Sequence, residues 1–191
     1  MQFPELSKAV FLDKDGTLIT DVPYNADPDK VFFEAGVFEG LRKLQADGYK
    51  LVIISNQPGI ALGKFTQNQL DLLIQHFCKM FEEKSLTLSG FYYCPHLPAS
   101  ATESCLCRKP EPGMLIDAAK TLNIDLTQSW MIGDILNDVE AGNRAGCRTV
   151  LINNGNETEW LSGPNREPDF IAPDFASAAE YILAQTIANH E

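Results

Sequence analysis

Residues 9–18 read Ala-Val-Phe-Leu-Asp-Lys-Asp-Gly-Thr-Leu, an apolar run that ends in two aspartates two positions apart. Charge at the mouth of a buried strand is costly unless it has work to do there. In extended backbone, residues i and i+2 point the same way, so Asp13 and Asp15 can aim both carboxylates at one point. Gly16 follows, and it accepts the backbone angles of a sharp turn that other residues avoid.

Working outward, further apolar runs occur at 51–54, 91–93, 130–132 and 149–152, and helical patterns lie between most of them. Val37, Leu41 and Leu44 recur at helical spacing before Gly48. Thr66-Gln-Asn-Gln69 fits a capping box that opens a helix through Phe77. Pro112 suits the first turn of a third helix, a fourth is expected over about 137–145, and Ser177-Ala-Ala-Glu180 reads as the capping box of a fifth. Strand–helix alternation with short connections predicts an α/β fold: a doubly wound parallel sheet with helices on both faces. The 191 residues suit a single domain with no repeat and no low-complexity linker. Two segments, 19–33 and 94–111, are too irregular for this pattern, and loops of that length tend to be functional.

The chain carries 26 acidic and 15 basic residues, a formal charge of −11, which argues against a nucleic-acid partner that needs a basic face. A small anionic substrate stays compatible, because local donors and a metal offset a negative global field. No apolar run approaches the ~20 residues of a membrane span, and Met1-Gln-Phe-Pro-Glu5 has no signal-type core. No membrane association, a cytoplasmic location and a monomer are therefore expected. Of five cysteines, Cys78 and Cys147 are expected in the core, with His76 and His190 at the surface.

In a parallel sheet, ligands sit outside the carboxyl ends of the strands. That edge would collect Asp13, the Ser55-Asn56-Gln57 that ends the second strand, Gly133-Asp134 with Asp138 after the fourth, and Arg108-Lys109 before a helix. Such a set suffices for phosphoryl transfer. A carboxylate can attack phosphorus and form an aspartyl-phosphate, but its charge repels the phosphate, so a cation is needed between them. Mg²⁺ takes hard oxygen ligands, here Asp13, Asp134 and a backbone carbonyl near Asp15. Ser55 can bond a phosphoryl oxygen and Lys109 can neutralise charge in the transition state. Asp15 is placed to protonate the leaving alkoxide and then activate water. A phospho-accepting binding module would also present an aspartate at a sheet edge, but it has no need of an acid/base two residues on.

Cys94-x-His96 and Cys105-x-Cys107 offer three thiolates and one imidazole, a donor set suited to a closed tetrahedral Zn²⁺ site. Buried free thiols are the alternative reading of the same spacing.

These segments resemble, in order, the four motifs of the haloacid dehalogenase superfamily: DxDGT, an apolar run ending in Ser, Lys, and GDxxxD. Residues 9–155 are similar more narrowly to the bacterial heptose bisphosphate phosphatases and their histidinol-phosphate relatives. The resemblance rests on Ser55-Asn-Gln-Pro-Gly-Ile60, Gly63-Lys-Phe-Thr66, Tyr92-Tyr-Cys-Pro-His96, Cys105-Leu-Cys-Arg-Lys-Pro110 and Pro112-Gly-Met114. It implies a Rossmann-like haloacid dehalogenase fold with no large cap domain, and Asp13 as nucleophile with Asp15 as acid/base. It also implies catalytic Mg²⁺ and a structural Zn²⁺ that staples the 94–107 loop. The implied substrate contacts are Thr20, Asp21 and Tyr24, Asn56 and Gln57, and Arg108. The implied substrate is a small phosphorylated sugar, D-glycero-D-manno-heptose 1,7-bisphosphate losing its 7-phosphate. Histidinol phosphate or another sugar phosphate is the alternative. The chain departs from the family's pattern at Leu62 and Ile135, where basic residues are usual.

Overall fold

Each of the five apolar runs forms a strand, and the computed structural model describes residues 6–98 and 105–188. The strands are β1 (Ala9–Leu12), β2 (Lys50–Asn56), β3 (Leu88–Cys94), β4 (Trp130–Gly133) and β5 (Arg148–Ile152), with a sixth, β6 (Phe170–Ala172). The helices are α1 (Val37–Ala46), α2 (Gln67–Glu83), α3 (Gly113–Leu122), α4 (Leu136–Ala145) and α5 (Phe175–Ala188). All pairings are parallel and the order is β3-β2-β1-β4-β5-β6.

Alternation along the strands divides the core. Val10 and Leu12 face one layer with Leu51, Ile53, Trp130 and Ile132, covered by the apolar stripes of α1, α2 and α5. Ala9 and Phe11 face the other, with Val52, Ile54 and Met131, under α3 and α4. Burial on both faces is why these strands read as unbroken apolar runs. Each of the Val, Leu, Ile, Phe and Met side chains among them contributes about 1.5–3 kcal/mol over leaving it in water, which anchors the charged strand ends that follow. The strand order reverses at β1, between β1 and β4, the position where doubly wound sheets open a crevice at their carboxyl edge.

Several local expectations hold. The Thr66 capping box is formed, with the Gln69 N–H bonding Thr66 Oγ1 and Gln69 returning to the Thr66 N–H. The stretch 19–33 winds as an irregular loop with one 3₁₀ turn (Pro28–Lys30). Trp130 and Cys147 are buried.

Four details differ. Helix α5 starts at Phe175, two residues before Ser177, because the Asp174 carboxylate accepts the Ser177 N–H at 2.8 Å and so serves as the cap. Pro112 caps α3 from outside rather than standing in its first turn. Cys78 is exposed: the buried stripe of α2 runs Leu70, Leu73, Phe77, Phe81, and the residue after Phe77 is rotated off it. His76 on the same helix is half-buried rather than at the surface. His190 lies outside the described residues. Strand β6 was hidden because it is three residues long, lies at the sheet edge and leaves Ile171 exposed.

Candidate active site

The carboxyl ends of β1 and β4 bring three carboxylates around one amine. Oxygens of Asp13, Asp134 and Asp138 all lie within 4.8 Å of one another, and all three residues are buried. Lys109 Nζ reaches Asp13 Oδ1 at 2.5 Å, Asp138 Oδ1 at 2.7 Å and the Ile54 carbonyl at 2.9 Å. Gly133 permits this packing, since a Cβ there would stand 2.2 Å from the Asp138 side chain.

Three negative groups share one positive one, and the protonation equilibria record the shortfall. Burial, reinforced by the charges of Asp13 and Asp138, pushes Asp134 up to about 8. Burial pushes Asp138 up to about 6, with Lys109 opposing. Burial also works against the Lys109 ammonium, yet the charges of Asp13 and Asp138 hold it above its ordinary value. A buried all-oxygen donor set short of positive charge fits a divalent cation such as Mg²⁺.

Asp15 stands apart from that trio. Its Oδ1 accepts from Lys14 Nζ at 2.5 Å and its Oδ2 from Gln57 Nε2 at 3.1 Å. Burial raises its carboxyl above the ordinary value; Lys14 opposes this and Asp13 adds to it. Lys14 itself is fully buried. Both carboxylates of the motif border one cleft of about 440 Å³, so the i, i+2 reading of Asp13 and Asp15 holds in space.

That cleft is also lined by Asp21 and Tyr24, by Asn56, Gln57, Arg108 and Lys109, and by Ile135. The polar residues at the end of β2 also bond to groups of the protein itself. Asn56 grips both backbone polar groups of Lys109, Oδ1 accepting from the Lys109 N–H at 3.0 Å and Nδ2 donating to the Lys109 carbonyl at 3.1 Å. Gln57 donates to Ser55 Oγ at 2.8 Å as well as to Asp15. Ser55 is therefore buried behind Gln57 and is not among the lining residues. Thr20 is exposed, donates to Glu34 at 2.8 Å and does not line the cleft.

Asp138, the second aspartate of the GDxxxD pattern, is expected at this edge without a role of its own, and the structure pairs it with Lys109. Lys14, which donates to Asp15, and Asn154 and Asn156, which donate to the Gly16 carbonyl and to Asp134, are not expected there from the sequence. Lys14 was visible as a lysine inside an otherwise buried run. The asparagines carried no periodic signal.

The second ligand cluster lies beyond β3. Cys94 Sγ is 3.0 Å from Cys107 Sγ and 3.6 Å from Cys105 Sγ, and His96 Nδ1 is 3.4 and 3.2 Å from the sulfurs of Cys94 and Cys107. Three sulfurs and one ring nitrogen converging this closely fit Zn²⁺ in a closed tetrahedral site. Burial pushes the Cys105 thiol up, yet backbone donors from Arg108 and side-chain partners bring it down to about 7. Residues 99–104 of the 94–107 loop lie outside the described set. The cluster adjoins the cleft directly: the Cys94 carbonyl accepts from the Gln57 N–H at 2.7 Å, and Arg108 donates to the His96 carbonyl at 3.2 Å.

A HAD-hydrolase-like family model matches residues 106–178. The D-glycero-β-D-manno-heptose-1,7-bisphosphate 7-phosphatase of Salmonella typhi is 43% identical over 166 residues, 80% of this chain and 88% of that protein. The enzyme of the same name from Escherichia coli K12 is 38% identical over 180 residues, 92% of this chain and 87% of that one. The crystal structure of D,D-heptose 1,7-bisphosphate phosphatase from B. bronchiseptica, complexed with magnesium and phosphate, superposes with a TM-score of 0.76 at 26% identity. It covers 93% of this chain and 99% of that one.

Proposed function

The chain belongs to the heptose-bisphosphate phosphatase family of haloacid dehalogenase-like hydrolases, and from that premise we propose that it removes the 7-phosphate of D-glycero-D-manno-heptose 1,7-bisphosphate. It is a phosphatase. We take residues 1–191 to act as one phosphatase domain.

The single observation that carries the reading is the pairing of Asp13 with Lys109 beside Asp134 and Asp138, with Asp15 on the same cleft. In the reaction, a carboxylate oxygen of Asp13 attacks phosphorus, and the bond to the sugar oxygen breaks as Asp15 gives that oxygen a proton. Asp15 then takes a proton from the water that attacks the aspartyl-phosphate, returning Asp13 and releasing phosphate. Lys109 offsets charge on the transferring oxygens. Bound Mg²⁺, held by Asp13 and Asp134 with a carbonyl near Asp15, would neutralise the repulsion between nucleophile and phosphate. Asp138, whose Oδ1 is 2.7 Å from Lys109 Nζ, holds that ammonium beside Asp13. Asn56 and Gln57 act through Lys109 and Asp15, and Arg108 is the side chain best suited to a second phosphate. Zn²⁺ in the Cys94, His96, Cys105, Cys107 set would shape the loop that presents Arg108 and Lys109.

A second reading has one observation behind it. Among the described lining residues only Arg108 and Lys109 are basic, whereas Asp21 and the apolar Ile135 also face the cleft. That balance suits an amine-bearing monophosphate such as histidinol phosphate. Steady-state kinetics on both anomers of the bisphosphate and on histidinol phosphate separate the two. The proposal expects kcat/KM at least tenfold higher for one heptose anomer, and a preference for histidinol phosphate overturns it. Among the described residues, no helix is long and apolar enough to cross a membrane.

A further inference from the structure

Residues 153–157, Asn-Asn-Gly-Asn-Glu, belong to none of the four motif segments, yet they fasten two of them together. Asn154 Nδ2 donates to the carbonyl of Gly16 at 2.7 Å, holding the turn that follows the two aspartates. Asn154 Oδ1 accepts the N–H of Asn156 at 3.2 Å, which folds the segment back on itself. Asn156 Nδ2 then donates to Asp134 Oδ2 at 2.7 Å, and Glu157 accepts the N–H of Leu136, at the start of α4, also at 2.7 Å. The fit is close at Gly16, where φ is +81° and a Cβ would stand 2.1 Å from Asp134 Oδ2 and 2.6 Å from Asn156 Nδ2. No residue other than glycine lets these three parts meet.

Asp134 needs this support. It is almost wholly buried and sits with two other carboxylates, and its remaining donor, Thr17 Oγ1, is 3.4 Å away. A charge-assisted bond to a buried carboxylate is worth more than a neutral one. It also decides between the two oxygens. Oδ2 is engaged by Asn156 at 2.7 Å, whereas Oδ1 has only the longer contact from Thr17 Oγ1 at 3.4 Å, which leaves Oδ1 the oxygen more open to a cation. We propose that Asn156 is a positioning residue for the divalent cation, orienting Asp134 while Asn154 locks the loop to the motif-one turn. The inference rests on the reading of Asp134 as a metal ligand. Donors behind first ligands typically change metal affinity by about 10- to 100-fold.

The test is calorimetric titration of the metal-free full-length protein with Mg²⁺, without substrate, for the wild type and for Asn156→Leu, Asn154→Ala and Asp134→Asn. Melting temperatures in chelator report folding separately. Asn156→Leu keeps the branched shape and the number of side-chain heavy atoms and removes the donor; it is expected to weaken Mg²⁺ binding about 10- to 100-fold, and Asn154→Ala by less. Asn156→Ala removes the same donor and answers the question if the leucine variant does not fold. Unchanged Mg²⁺ affinity in a folded Asn156 variant overturns the proposal while leaving the cation site intact. Unchanged affinity in Asp134→Asn overturns both. Neither outcome depends on which sugar phosphate is the substrate.

Discussion

The two ligand clusters of this protein are neighbours in space but opposites in construction. The carboxylate cluster draws Asp13, Lys109, Asp134 and Asp138 from two strand ends, a loop and a helix, and all four are buried. The thiol–imidazole cluster comes from 14 residues of chain, Cys94 to Cys107, and only Cys94 is fully buried. One set depends on the whole sheet and has fewer ligands than Mg²⁺ takes, so it leaves room for water and substrate. The other closes on four ligands and leaves no position for chemistry. The difference teaches what each metal would be for: the first for reaction, the second for holding a loop.

Perturbing each cluster alone tests that division. Lys109→Met removes the cation facing Asp13 and is expected to lower kcat by about 10²- to 10³-fold, with zinc content by elemental analysis unchanged. Cys105→Ser breaks the closed site. It should lose zinc and cost about 10- to 100-fold in kcat/KM, because misplaced residues act through geometry. Its Mg²⁺ affinity by calorimetry should stay near that of the wild type. If Cys105→Ser lowered Mg²⁺ affinity as strongly as it lowered activity, the two clusters would not be separable.

The smallest effect is on stability. Folding holds Asp134 at about 8 against an ordinary 3.8, so in metal-free protein the folded state binds the extra proton across that interval. The stabilisation this gives is fully present below the lower value and is lost as pH rises through the upper one. Melting temperature in chelator should therefore fall between pH about 4 and about 8. Mg²⁺ should flatten the curve by favouring the ionised form. A metal-free curve that rises through the same interval would contradict the assignment of Asp134 to the buried cluster.

The same contrast explains what the sequence made legible. Aspartates at the ends of apolar runs stand out, because a folded sheet has few reasons to end in charge, so Asp13, Asp15 and Asp134 were readable in advance. The cysteine–histidine cluster was readable because its members are close in sequence. Asn56 and Gln57 were readable as residents of the site, but their bonds turn toward Lys109 and Asp15, a choice made by tertiary approach. Thr20 faces Glu34 because the loop after Gly16 closes by bridges that no periodicity announces. Asn154 and Asn156 were silent for the same reason. An amide carries no pattern until the backbone it bonds arrives from far along the chain.

As the nucleophile, Asp13 becomes covalently phosphorylated during turnover. Single-turnover reactions with an activated aryl phosphate and Mg²⁺, using Asp15→Asn to slow hydrolysis, can be acid-quenched, reduced with borohydride and mapped by mass spectrometry. One modified peptide is expected, with the tag on Asp13, and it should be lost in Asp13→Asn. A tag on Asp134 or Asp138, or turnover that persists at the wild-type rate in Asp13→Asn, would contradict that role.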